Sequence, residues 1–328
     1  MENKLAATQV QERCYMKFLF ILSTNLLEYI SKFKEHSRKY GFREALKKSI
    51  GKLKTVKWTN QLCFQPVSTE HIGTAFAKEL GALFYQCNIC GKLCKSKISG
   101  LQREESSCTG CGSTVRMRAI IHVLSMELFG KSLVIRDFPV RPDVTGMGMS
   151  DWDGYAIPLS RKFSYKNTYY HKEPKLDITS IDSSLEGTLD FIISSDVFEH
   201  VLPPVSIAFE NARKILKPGG VLIFSVPYTK DGTTIEHFPD LYKYEIIKKG
   251  DGYILKNITR DGVEQMFDNL VFHGGAGATL EMRVFSESSL KEDFAKAGFS
   301  NIKIYKDPDF DHGIYWNQDL SLPIAARK

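Results

Sequence analysis

Four cysteines at two short spacings carry the plainest chemistry in this chain. Cys87-Asn88-Ile89-Cys90 and Cys108-Thr109-Gly110-Cys111 are CxxC pairs with 17 residues between them. Each pair puts two thiolates on one turn, and two such turns complete the tetrahedral sulfur site that Zn2+ takes. Gly91 and Gly112 follow the second cysteine of each pair, where these turns favour a small residue. With all four positions filled by Cys87, Cys90, Cys108 and Cys111, the expectation is a structural zinc rather than a catalytic one. Cys94 reads as a bystander or an alternative ligand, and Cys14 and Cys63 as small apolar residues.

A second group of residues could handle protons. Glu236-His237 lies in TTIEHFPDLY, and His273, Glu281 and Arg283 lie in VFHGGAGATLEMRVF. Gly274, Gly275 and Gly277 let the second segment fold close to a ligand. An oxygen or ammonium nucleophile needs a base to remove its proton. His273 is the first expectation for that base and His237 the second. His200, beside Glu199, is a further candidate, with a structural capping role as its alternative.

The elements that must position these groups are clearest between Leu189 and Pro227. Phe191, Ile192 and Ile193 form an apolar run without polar alternation, as in a parallel strand covered on both faces. Ser194, Ser195 and Asp196 place small polar groups at its carboxyl end, where open α/β sheets bind ligands. Val205, Ala208, Ala212, Ile215 and Leu216 have helical spacing, Lys217-Pro218-Gly219-Gly220 stops that helix, and Val221 to Val226 is the next strand. Upstream, Leu133 to Phe138 reads as a first strand and Tyr165 to His171 as a second. Ser150 or Asp151 offers an N-cap for a helix running to Phe163. An alternative register makes Thr145 to Met149 the first strand, with Asp151 as the acidic residue at its end.

Glu199-His200 and Leu216-Lys217-Pro218-Gly219-Gly220, in that order, resemble the second half of class I, Rossmann-like S-adenosylmethionine-dependent methyltransferases. The resemblance implies a doubly wound, mostly parallel α/β sheet and S-adenosylmethionine as cofactor. It also implies roles for particular residues. Gly146 and Gly148 stand for the glycine loop after the first strand, although the compact G-x-G-x-G is missing. Asp151 then opens the helix. His171 or Glu173 takes the ribose position. Asp177, in Asp177-Ile178-Thr179, receives the adenine amino group. Ser195 and Asp196 face the methionine portion.

Together with Ala297-Gly298-Phe299 and the tail HGIYW…SLP, the segments around His237 and His273 resemble bacterial methyltransferases of surface-glycan assembly, over residues 85–328. That resemblance implies O-methylation of a sugar or another small polar acceptor, lipid-linked in one version. Two alternatives stay open: an RNA methyltransferase using the zinc module and the basic arm, and a binding protein that keeps the fold without catalysis.

Charge is unevenly placed. Residues 1–60 hold 13 Lys/Arg against 5 Asp/Glu, whereas the whole chain holds 44 against 38. The remaining residues therefore carry 31 against 33, which argues against a nucleic-acid-coating surface on the catalytic region. The expected organisation is a basic helical arm over 1–80, a cysteine module over 81–115, and an α/β domain over 116–328. A β-rich insertion at 231–283 interrupts that domain, with a hairpin turn at Lys249-Gly250-Asp251-Gly252. The arm suits packing on its own domain or, over residues 16–57, peripheral contact with an anionic membrane. The apolar run near Phe18 is too short and too polar to span a bilayer. Clustered cysteines without an export signal point to a reducing cytoplasm.

Overall fold

The computed structural model describes residues 82–275 and 277–328. The expected arm at 1–80 therefore lies outside the described residues. Two units are described separately. In the smaller one, β1 (Ala82–Gln86) and β2 (Leu93–Lys97) form an antiparallel pair with Tyr85 opposite Cys94. Gly313, with φ of 67°, lies against the Tyr85 ring in the same unit, so close that a Cβ would fall 2.5 Å from it.

The larger unit holds residues 87–92, 99–309 and 314–328. Its first helix is α1 (Val115–Phe129), capped by Thr114 at its start and by left-handed Gly130 at its end. Next come β3 (Arg141–Met149), α2 (Asp153–Ser160), β4 (Phe163–Thr168) and β5 (Leu189–Ser195). After β5 follow α3 (Ser206–Ile215) and β6 (Leu216–Ser225). Seven strands, three of them (β9–β11) an antiparallel meander, fill the insertion and its edge: β7 (Tyr228–Thr229), β8 (Ile235–Glu236), β9 (Lys243–Lys249), β10 (Gly252–Ile258), β11 (Glu264–Phe267), β12 (Phe272–His273) and β13 (Thr279–Leu280). The chain closes with β14 (Arg283–Ser286), α4 (Glu287–Lys296), β15 (Ser300–Ile304) and β16 (Ile324–Arg327).

The central sheet runs β15-β16-β6-β5-β3-β4, with β4, β3, β5 and β6 parallel and β16 antiparallel to both neighbours. This is the mixed, mostly parallel Rossmann-like arrangement that the resemblance implies, with the covered strands that the apolar runs predict. Phe191, Ile192 and Ile193 are fully buried because both faces of β5 are covered. Leu222 and Phe224 of β6, with Ile192, pack against α3 and α4 through Phe209, Ala212, Leu290 and Phe294. Removing this much apolar surface from water is the main stabilising term of the domain.

Three details of the first half differ from the sequence expectations. Leu133 to Phe138 is not a strand: Ile135–Asp137 form a 3-10 turn, and β3 over 141–149 is the first strand of the sheet. The alternative register is the observed one. Gly146 and Gly148 consequently lie within β3 rather than in a loop after it. Their missing side chains make room for protein: a Cβ on Gly146 would fall 2.1 Å from the Phe191 ring, and one on Gly148 would fall 2.0 Å from the Tyr165 hydroxyl. Finally, α2 begins at Asp153 and neither Ser150 nor Asp151 caps it. In the insertion, the expected hairpin is present as β9 and β10, turning through Gly250 at φ of 60°.

Gly148→Ala is therefore expected to lower unfolding stability by about 1–3 kcal/mol, as an overpacked core does. Gly100→Ala, which meets nothing within 4 Å, should stay within about 0.5 kcal/mol of wild type. Urea unfolding of the two variants measures the contrast.

Candidate active site

Three clusters of polar side chains occupy the larger unit. The first forms at the carboxyl ends of β5 and β6. The Ser195 hydroxyl lies 2.9 Å from that of Ser225 and accepts a hydrogen bond from Arg116 at 2.8 Å. Asp196 follows with φ of 54°, a left-handed conformation held by its N–H donating to the Ser225 carbonyl at 2.8 Å. Arg103 grips the Asp196 carboxylate through both terminal nitrogens, at 2.8 and 3.0 Å, and Arg116 approaches at 3.1 Å. Burial opposes ionisation of Asp196, but the two guanidinium groups more than reverse this and hold its carboxyl below the usual range. Arg103 and Arg116 were missed by sequence reasoning, whose only signal was a pair of basic residues around the second cysteine turn.

The remaining residues expected on this side follow β3 and β4 in the chain. Asp151 is buried and turned inward, accepting hydrogen bonds from Tyr155 at 2.8 Å and from Tyr165. Burial pushes its carboxyl up to about 7, against the pull of those two hydroxyls and of Arg116. Ser150, just before it, adopts φ of 58°, the conformation that a loop glycine would supply. His171 is exposed, beyond the end of β4 and edge-on to Tyr170. Asp177 forms a tight turn in which the N–H and O–H of Thr179 both converge on Oδ1, at 2.9 and 2.7 Å. Ile178 is a core residue whose carbonyl accepts from Asn211.

The second cluster joins the end of β5 to the insertion. Glu199 and His200 lie on a 3-10 turn, Phe198–His200. Fully buried Arg283, from β14, donates to the carbonyls of Phe198 at 2.8 Å and Val201 at 2.6 Å, and pairs with Glu236 at 2.6 Å. The Met282 N–H adds a bond to the Glu199 carbonyl, and His237 N–H one to the Met282 carbonyl, both at 2.8 Å. These ties bring His237, His273, Glu281, Glu199 and His200 together. One Glu281 oxygen accepts from His237 Nε2 at 3.0 Å and the other from His273 Nε2 at 2.9 Å. The two bases expected from sequence thus share a single carboxylate.

The third cluster is the cysteine set. All four sulfurs, of Cys87, Cys90, Cys108 and Cys111, lie within 4.8 Å of one another. Cys87 and Cys111 are 3.8 Å apart, and Cys90 and Cys108 3.6 Å. Zinc–sulfur bonds of about 2.3 Å put tetrahedral sulfurs about 3.8 Å apart, so the donor set fits that ion. Gly91 and Gly112 take φ of 77° and 76°, closing two matching turns. Buried Arg118 braces the second turn through Ser107 and Ser113.

A family profile described as a methyltransferase domain matches residues 129–304, more than half of the chain. The chain belongs to that family. It is an S-adenosylmethionine-dependent methyltransferase. No curated protein matches its sequence. Among solved structures, this methyltransferase is similar to the 1,6-didemethyltoxoflavin N1-methyltransferase of Burkholderia thailandensis, at 13% identity and a TM-score of 0.38, over 83% of this chain and 98% of that one. It is also similar to CalS10, an amino pentose methyltransferase of Micromonospora echinaspora, at 17% identity and a TM-score of 0.33, over 59% of this chain and 87% of that one. Likeness at this level leaves the substrate to be argued from the methyltransferase's own residues. No described helix is long and apolar enough to cross a membrane.

The donor set suits S-adenosylmethionine. An adenine amino group needs an acceptor such as Asp177, whose Oδ2 is not used by Thr179. Arg103 and Arg116 are both engaged by Asp196 and Glu104, so a methionine carboxylate would meet only the guanidinium N–H groups beyond those pairs.

The raised Asp151 carboxyl has a consequence for stability. Between its unfolded value near 4 and its folded value of about 7, the folded chain binds the extra proton, so stability falls as pH rises. Asp151→Asn should flatten this fall, which amounts to at most about 1.4 kcal/mol per pH unit. Denaturant midpoints of wild type and variant from pH 4.5 to 7.5 check it.

Proposed function

We propose that the protein O-methylates a hydroxyl of a sugar or another small polar acceptor, in glycan assembly. The observation that carries this reading is the pair of imidazoles held by Glu281 close to the carboxyl end of β5. Transfer to a hydroxyl needs a base, whereas a neutral amine acceptor does not need one as strongly. When bound, S-adenosylmethionine supplies an electrophilic methyl group on a sulfonium centre.

The chain's residues do the rest. Asp177 accepts from the adenine, Arg103 and Arg116 hold the carboxylate, and Ser195 and Asp196 line the strand end between them. His237 donates its Nε2 proton to Glu281, which leaves Nδ1 as the acceptor of the hydroxyl proton. Glu281 orients the ring and stabilises the imidazolium that forms. His273 keeps the same carboxylate in place, and its own Nδ1 faces Glu199. The four cysteines hold a structural zinc that fixes the start of α1, through the second turn and Arg118. Residues 16–57 are proposed to meet an anionic membrane surface where the acceptor is lipid-linked.

Titration calorimetry with S-adenosylmethionine tests the donor half. Wild type should bind, and Asp177→Ala should bind at least about tenfold more weakly, as for the loss of a charge-assisted hydrogen bond. Absence of binding to wild type overturns the assignment. For the acceptor half, methyl incorporation is followed with nucleotide sugars, lipid-linked saccharides and RNA. A saccharide should be methylated, and His237→Ala should lower kcat by about 10²–10⁴-fold with the affinity for S-adenosylmethionine unchanged. Methylation of RNA alone overturns the glycan reading.

A further inference from the structure

Glu199 is an anomaly that methyl transfer does not use. Its side chain is fully buried, and neither carboxylate oxygen accepts a hydrogen bond. A buried carboxylate without partners is costly and is retained where something absent from the protein itself compensates it.

The neighbouring imidazoles show what that something is. His200 Nδ1 lies 2.8 Å from the Leu280 carbonyl, which can only accept, so the proton is on Nδ1 and the lone pair on Nε2. That Nε2 lies 3.7 Å from Glu199 Oε1. His273 is fixed in the opposite tautomer, because Nε2 donates to Glu281 at 2.9 Å and leaves the lone pair on Nδ1. Nδ1 in turn lies 3.7 Å from the same Glu199 oxygen. Three potential donor atoms therefore converge, all within 4.8 Å of one another. Donors bound to one ion at about 2.0–2.2 Å lie about 3.0–3.6 Å apart, close to the observed separations.

We propose that Glu199, His200 Nε2 and His273 Nδ1 form a binding site for a divalent first-row transition-metal ion, separate from the four-cysteine site. Two imidazoles and one carboxylate suit zinc, iron, cobalt or manganese rather than calcium. The surroundings are those of a metal centre: the Leu280 carbonyl and Glu281 hold each ligating ring by its other nitrogen. Arg283 fixes the turn that carries two of the three ligands. Three protein donors leave open positions for water or an oxygen ligand.

The test uses the full chain with its cysteine site filled by zinc, titrated with Co2+ and followed by visible absorption and calorimetry. The wild type should take up one Co2+ per chain, with ligand-field bands of nitrogen and oxygen donors and no thiolate charge-transfer band. Glu199→Gln should lose at least about tenfold in affinity. Glu281→Gln leaves all three donors in place, and should weaken binding about 10–100-fold through the loosened His273 ring. Zinc content should stay at one per chain in both. No Co2+ uptake by wild type overturns the proposal, as does undiminished uptake in Glu199→Gln or in Glu281→Gln.

Discussion

A guanidinium buried without any exposure calls for acceptors, and Arg283 finds them for Nε and Nη1 while its Nη2 has no hydrogen-bond partner. Its acceptors come from separate parts of the chain: Glu236 from β8, and the carbonyls of Phe198 and Val201 from the turn after β5. Each partner alone would be poorly off, since Glu236 would be an unpaired acid and the carbonyls orphaned. Together they admit one arrangement, in which the insertion closes over the end of β5. Met282 and His237 extend the same arrangement through backbone hydrogen bonds, and the Glu199, His200, His273 and Glu281 side chains meet as a result.

The strand-end cluster follows a similar logic with the signs exchanged. Asp196 is the half-buried anion, and Arg103 and Arg116 are the cations drawn to it. Glu104 pairs with the same two guanidinium groups, so two anions and two cations balance within the cluster. In the proposed reading, the sheet supplies the residues for the methyl donor and the insertion those for the acceptor. The turn of residues 198–200, which follows β5 directly, belongs to both.

The central sheet was legible because burial on both faces imposes unbroken apolar runs, as in FIISS and VLIFS. The hairpin at Gly250 was legible from its glycines, and the cysteine pairs from spacing alone. The first strand was misplaced because LVIRDF has the composition of a strand, while β3 carries two glycines that lower its apparent propensity. Those glycines answer to the Phe191 and Tyr165 rings packed against them, a tertiary demand that no local pattern shows. His237, His273, Glu281 and Arg283 could be named from sequence as a group. Their grouping around Glu199 could not, because it depends on an ion pair between residues 47 positions apart.

The central claim, that Arg283 holds the insertion and the turn after β5 as one unit, is tested most directly by hydrogen exchange on Arg283→Met. Losing one partner of a fully buried pair costs about 3–5 kcal/mol, an upper bound here because Glu236 is partly exposed. The amides of Val201, His237 and Met282 should therefore exchange together and at least about tenfold faster than in wild type, while those of Leu222, Ile223 and Phe224 keep their protection. Unchanged exchange at Val201, His237 and Met282 in a folded variant would contradict the account.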